Sequence, residues 1–316
     1  MEFFIEYLMF FLKVLTLLIS VLIGIAGILA LNRKPKPKLE IISLNNLYDD
    51  VKSKMHKIIK DKKDNKKLLK KAKKLLKTRP SLYVLEFNGD IKASQVEKLR
   101  DEITAILSVS EKDDEVLVKL ESPGGSVNGY GLAAAQLQRI RDHDLYLTIC
   151  IDKIAASGGY LMACVADNII AAPFAIIGSI GVVAQMPNFH RWLKERHVDV
   201  ELLTAGEYKR TLTLFGENTE KGRKKFQEDL ESIHTAFREY VVVNRDELDM
   251  DKIATGEHWL AKDALQLKLV DVLQTSDSFL LEKMSDFHAF KILIHSKQSL
   301  IEKLLKPAMQ LLHPWA

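Results

Sequence analysis

At 316 residues, with 47% hydrophobic and 28% charged side chains and two cysteines, the chain fits a globular protein of one or two domains and excludes a disulfide-stapled scaffold or a zinc ribbon. Its net charge of +4 hides a segregation: residues 51–80 hold thirteen Lys and one Arg against two Asp, a local +12, so everything else sums to −8. One thirty-residue stretch therefore carries the basicity, which excludes a basic, nucleic-acid-seeking reading of the whole chain.

Residues 14–31 are eighteen consecutive residues without a formal charge. At about 1.5 Å per residue they cover roughly 27 Å, close to the hydrocarbon thickness of a bilayer, and Lys13 lies where its stem can snorkel. A cleaved signal peptide calls for a basic start and a shorter apolar core. Here Glu2 and Glu6 precede a long run, so residues 1–32 are expected to form an uncleaved transmembrane anchor. Arg33, Lys34, Lys36 and Lys38 follow, with Pro35 and Pro37 stopping the helix, and the positive-inside rule puts the chain beyond them in the cytoplasm.

Residues 33–80 form a basic linker. Ile58, Ile59, Leu68, Leu69, Leu75 and Leu76 interrupt its lysines at roughly helical spacing. It reads either as a solvated helix or as one drawn to anionic lipid headgroups, each Lys near the surface contributing about 1 kcal/mol. No aromatic stacking residue is interleaved, so a nucleic-acid partner is not expected.

Beyond Pro80 apolar strands alternate with amphipathic helices. Strands are predicted at 82–87, 115–121, 145–151, 168–171 and 198–203, and helices at 127–141 and after Ser157. Val96, Leu99, Ile103 and Ile106 mark another helix face. The alternation predicts an α/β core rich in parallel strands.

Two turns in this region carry candidate chemistry. Glu121-Ser122-Pro123-Gly124-Gly125-Ser126 joins a strand to a helix, and its glycines leave backbone N–H groups bare. Such donors bind an oxyanion or a phosphate, although a Gly-Gly turn is often only a turn. Ala155-Ala156-Ser157-Gly158-Gly159-Tyr160 sets small residues around one serine on a strand-to-helix corner, as a nucleophile with the Gly158 N–H beside it requires. The commoner explanation of such a serine is a helix N-cap.

A base for Ser157 is harder to find. His190 and His197 lie in a charged segment and read as surface residues, which weakens a Ser-His-Asp triad. The alternative is a lysine kept neutral by burial. Lys209, just past the strand at 198–203 and beside apolar residues, is the candidate; Lys153 lies in the approach to Ser157, too far along an extended chain.

With these residues in place, the chain resembles the signal peptide peptidase A family of Ser-Lys membrane proteases. Ser-Pro-Gly-Gly-Ser, Ala-Ala-Ser-Gly-Gly-Tyr, Gly178-Ser179-Ile180-Gly181-Val182 and Gly206-Glu207-Tyr208-Lys209 occur in the family's order and spacing. The single anchor, the lysine-rich linker, residues 183–189 and Thr211-Leu212-Thr213-Leu214 resemble its SohB branch most. The resemblance implies a ClpP/crotonase-like catalytic domain over 81–275 and serine endopeptidase chemistry on peptides or unfolded protein segments. It implies Ser157 as nucleophile, Lys209 as general base and Ser179 as the hydroxyl that orients the lysine. The oxyanion hole would be formed by Gly158 with Gly124 or Gly125. It also implies a homo-oligomer, no cofactor and no metal, in a bacterial inner membrane. Relatives commonly place this domain outside the cytoplasm, against the charge rule, so the side of the membrane stays open. Many relatives continue after the lysine with a proline-containing segment; Thr-Leu-Thr-Leu-Phe-Gly stands here instead, so specificity does not carry over.

A long helix is expected from 217 toward 243, with Phe226, Leu230, Ile233, Phe237 and Tyr240 as core or subunit-contact residues, and residues 255–270 read as structural. Residues 276–316 are expected to be a partly helical tail, with an amphipathic helix at 299–312. Cys150 and Cys164 read as buried apolar fillers. Two other readings compete with the protease: a crotonase-like acyl-CoA enzyme, and a non-catalytic membrane scaffold of the same fold.

Overall fold

The computed structural model describes residues 2–32, 38–59 and 79–295. Helix α1 runs Glu2–Asn32, and its described side chains, which reach as far as Val21, are exposed and mostly apolar. Among the described residues no helix is long and apolar enough to cross a membrane. The larger part of the 14–31 span lies outside the described side chains, as do the lysines of 60–78 and the helix expected at 299–312.

The compact unit spans Ile41–Ile292. The chain joins it ahead of the lysine-rich stretch, through β1 (Lys38–Ser43) and α2 (Leu44–Ile59), and resumes after that stretch as β2 (Ser81–Asn88). Part of the linker expected at 33–80 thus belongs to the unit, as α2 does, and its residues 60–78 lie outside the described residues. There follow α3 (Val96–Leu107), β3 (Glu115–Glu121), α4 (Val127–Arg141), β4 (Tyr146–Ile151), β5 (Ile154–Ala156), α5 (Gly158–Ala163), β6 (Asn168–Ala171) and β7 (Ile176–Gly178). The remainder is α6 (His190–Glu195), α7 (Glu220–Asn244), α8 (Met250–Ile253), β8 (His258–Leu260), α9 (Ala261–Gln266), β9 (Val272–Leu273), α10 (Ser276–Lys283) and β10 (His288–His295).

One sheet has the order β1-β10-β2-β3-β4-β6-β9, and its registered pairs from β10 to β9 are all parallel. The alternation of side chains divides it into two buried faces. Tyr83, Leu85 and Phe87 of β2 and Val116, Val118 and Leu120 of β3 enter the larger core, under the buried stripe Val96, Leu99, Ile103, Ile106 of α3 and Tyr130, Ala133, Leu137, Ile140 of α4. Leu82, Val84 and Leu117 enter the smaller one with Leu44, Leu280, Met284 and Ala289. Burial on both faces explains why these strands read as continuous apolar runs.

The second core makes α10 and β10 part of the unit, beyond the boundary expected at 275. Asn45 fastens them: its Nδ2 donates to the carbonyls of Met284 (3.3 Å) and Phe287 (3.2 Å), and its Oδ1 accepts from the Ala289 N–H (2.7 Å). An asparagine in the first turn of a helix gives no sequence signal of such a role. The strand expected at 198–203 does not form. Val198, Val200, Leu202 and Leu203 are exposed, and among the described residues no neighbouring strand pairs with them.

Candidate active site

A smaller sheet, β5-β7-β8, lies at the carboxyl end of β3 and brings three serines into one place. The Ser122 N–H donates to the Ile154 carbonyl (2.8 Å) and the Ala156 N–H to the Ser122 carbonyl (3.0 Å), which joins the end of β3 to β5. β5 and β7 pair in parallel with Ala156 opposite Gly178. Ser157 and Ser179 are the residues that follow these two strands. The Ser157 N–H donates to the Gly178 carbonyl (2.8 Å) and the Ser179 N–H to the Glu257 carbonyl.

Both serines turn their strands abruptly, with φ of 52° at Ser157 and 53° at Ser179. Ser157 has ψ of −120°, far from the extended geometry of an ordinary N-cap, and its side chain makes no capping hydrogen bond to α5. A non-glycine residue held there stores about 1–3 kcal/mol of strain, of the kind that accompanies a functional corner. The N-cap explanation of Ser157 thereby loses its geometry. The side chain is half-buried, at the amino end of a helix whose Gly158 N–H has no partner among the described residues.

The glycine turn after β3 lies against this corner. Gly124 has φ of +90°, and a Cβ there would sit 2.7 Å from Ser157 Cβ and 2.8 Å from the Gly158 nitrogen. Gly125 is equally confined, since a Cβ would fall 2.2 Å from the Ile91 carbonyl oxygen. The Gly124 N–H donates to Ser122 Oγ (3.1 Å), whereas the Gly125 N–H has no partner among the described residues. Thus Ser157, Ser179, Gly124, Gly125 and Gly158 converge from three chain segments.

Lys209 is placed differently. Residues 182–216 hold one short helix, α6, and Gly216 is their only buried residue. Lys209 is exposed, its N–H donating to the Gly206 carbonyl (3.1 Å), and Tyr208 and Leu203 nearby are exposed too. The burial expected to keep its amine neutral is not supplied by the described residues of one chain, because apolar residues beside it are themselves exposed. His190 and His197 lie on the same open segment. Lys153 is engaged elsewhere, at 2.9 Å from a Glu121 carboxylate oxygen. Burial pushes the Cys150 and Cys164 thiols up to about 12, so both are inert fillers rather than nucleophiles.

Sequence reasoning missed two contributors. Residues 255–270, read as structural, contain β8, which pairs antiparallel with β7, and the Glu257 carbonyl just before it accepts from the Ser179 N–H. Tyr130, fully buried in α4, reaches both glycine turns. Its one signal was a large aromatic between two glycines, Gly129 and Gly131, just after the Ser-Pro-Gly-Gly turn.

The N-terminal model of peptidase family S49 matches residues 2–137, and the peptidase family S49 model matches residues 140–289. A probable protease SohB from Haemophilus influenzae is 46% identical over 325 residues, which cover 96% of this chain and 92% of that protein. A probable protease SohB from Buchnera aphidicola subsp. Schlechtendalia chinensis is 47% identical over 305 residues, 90% of this chain and all of the relative. Protease 4 of Haemophilus influenzae is 30% identical over 176 residues, 54% of this chain and 28% of its own length. With matches of this extent, the chain belongs to peptidase family S49 and is a serine peptidase.

Proposed function

We propose that this peptidase is a membrane-anchored endopeptidase of ClpP/crotonase-like fold, with Ser157 as nucleophile and Lys209 as general base. The observation that carries the reading is the Ser157 corner: a strained serine without a capping role, in register beside Ser179 and against the Gly124–Gly125 turn. Neutral Lys209 takes the Ser157 proton as Oγ attacks a peptide carbonyl, and Ser179 orients the amine. The tetrahedral oxygen is held by the Gly158 N–H and by an N–H of the glycine turn, Gly124 or Gly125. The Lys209 ammonium protonates the leaving amine, and water releases the acyl group.

An exposed lysine is protonated at working pH, so the mechanism requires something to cover Lys209. A second copy of the chain, together with the bound peptide, is the proposed cover. Val183, Trp192, Leu203 and Phe215 of the same open segment are exposed apolar residues suited to such a contact. The uncharged run 14–31 and the exposed apolar side chains of α1 support the anchor, and the lysines of 60–78 support attraction to anionic lipids. Substrates are peptides or unfolded protein segments. As the chain is a peptidase, the acyl-CoA and non-catalytic readings fall away.

The test is hydrolysis of a fluorogenic peptide by the full chain in detergent. Ser157→Ala abolishes turnover and labelling by a fluorophosphonate, and Lys209→Ala abolishes turnover while the melting curve is unchanged. Wild-type turnover in either variant refutes the dyad. Release from membranes by alkaline carbonate, without detergent, refutes the anchor.

A further inference from the structure

A chain of four hydrogen bonding groups runs beneath the candidate oxyanion site. The Gly124 N–H donates to Ser122 Oγ (3.1 Å), the Ser122 hydroxyl donates to Tyr130 Oη (2.6 Å), and the Tyr130 hydroxyl donates to the Asp90 carbonyl (2.8 Å). Each hydroxyl gives one bond and receives one, so the direction of the chain is set. Ser122 and Tyr130 are both 0% exposed, so the bond between their hydroxyls lies in the interior, where such a bond is strengthened by the low dielectric. Burial also holds the Tyr130 phenol above its ordinary value, which keeps it a neutral donor.

The Tyr130 ring serves the other half of the site. A Cβ on Gly158 would fall 2.4 Å from Tyr130 Cγ and 2.8 Å from its Cδ2, so the ring lies directly against the residue that follows Ser157. Phe87 meets that ring edge-on at 6.4 Å, backing it from the main sheet. Glycines close around the hydroxyl pair as well: a Cβ at Gly89 would lie 2.3 Å from Tyr130 Oη, and one at Gly159 would lie 2.5 Å from the Ser122 carbonyl oxygen. One side chain thus touches Gly158 through its ring and governs Gly124 through its hydroxyl. These two turns follow different strands, β3 and β5.

We propose that Tyr130, acting through Ser122, is a positioning residue that sets the distance between the two halves of the oxyanion site. The inference rests on the Ser157 reading of the function. Oxyanion stabilisation depends on donors fixed in advance at the place where charge develops, and a small displacement of one turn weakens the transition state more than the bound substrate. Tyr130→Phe keeps the ring against Gly158 and removes the hydroxyl, so the Ser122 hydroxyl and the Asp90 carbonyl each lose a partner.

The experiment measures kcat and KM on a fluorogenic peptide with the full chain in detergent, counting active sites by fluorophosphonate titration so that unfolded protein does not enter the rate. It also measures inhibition by a peptide aldehyde, whose hemiacetal oxygen occupies the oxyanion position. Tyr130→Phe lowers kcat about 10-fold or more, below the 10²–10³ of removing a donor outright, with KM within about twofold, and the aldehyde weakens by the same factor. Ser122→Ala, a smaller change, shows the same split. The control is Tyr83→Phe, which removes a buried hydroxyl bonded to Asp114 (3.2 Å) at the opposite end of the sheet; it lowers the melting temperature and leaves kcat per site unchanged. Wild-type kcat per site in Tyr130→Phe or in Ser122→Ala overturns the proposal. So does a loss of kcat in Tyr83→Phe of the same size. Turnover by Ser157→Ala in the same assay overturns the nucleophile instead, and so separates the two failures.

Discussion

Replacing Gly124 by alanine tests the proposed packing of the glycine turn on the nucleophile. At φ of +90° a side chain costs about 1–3 kcal/mol in backbone strain. The new methyl also meets three atoms that have little room to move: Ser157 Cβ at 2.7 Å, the Ala156 carbonyl oxygen at 2.8 Å and the Gly158 nitrogen at 2.8 Å. β5 pairing fixes Ala156, and Ser157 is fixed by its bond to the Gly178 carbonyl. Overpacking of this kind costs about 1–3 kcal/mol. The two contributions give about 2–6 kcal/mol, or a fall of roughly 4–24 °C in melting temperature for a domain of this size. The catalytic loss is larger, because the methyl both displaces Ser157 and shields the Gly158 N–H; loss of one oxyanion donor alone lowers kcat about 10²–10³-fold. Thermal melting and peptide turnover per titrated site are the two measurements. Turnover within twofold of wild type shows that Gly124 does not face the nucleophile, whatever the melting temperature.

Gly131→Ala, in the same helix as Tyr130, meets nothing within 4 Å and raises stability by about 0.4–1 kcal/mol in a denaturant titration, with turnover unchanged. Cys150 and Cys164 resist alkylation in the native chain at pH 8 and react only on unfolding, as thiols held near 12 require; native labelling contradicts their burial. His288 is held below its ordinary 6.5 by burial and then by Arg79 beside it. The folded state therefore binds its proton less readily than the unfolded chain, and stability falls as pH drops below about 6.5. His288→Asn flattens the melting temperature between pH 7 and 5; an unchanged slope places the titration elsewhere.

Much of the core was legible because its signals are local. The stripe at Val96, Leu99, Ile103 and Ile106 faces the sheet as its period demands, and β3 and α4 form where alternation and the turn residues put them. The failures share a cause in contacts between distant segments. β10 occupies the edge of β2 some two hundred residues from it in sequence, and its capture depends on Asn45, which no periodicity announces. The 198–203 run has the composition of a strand, but a strand needs a neighbour, and among the described residues none is there.

The same distinction divides the proposed dyad. Ser157 is specified by its own surroundings: two alanines before it, two glycines after it, and a parallel register that sets it beside Ser179, all within one compact sheet. A lysine that acts as a base is specified by what covers it, since only burial or a nearby cation brings an amine to neutrality at working pH. Lys209 stands on a stretch in which Gly216 alone is buried, so its motif identifies a residue type without identifying its protonation state. A mechanism through Lys209 therefore implies that the active form contains surface beyond that of the described residues. It predicts that the acid limb of the kcat/KM profile, which reports the free enzyme's base, shifts upward when the exposed apolar residues of that stretch are replaced, as in Leu203→Ser or Val183→Ser. An acid limb indifferent to both substitutions means that the base is sheltered by other means, or is not Lys209.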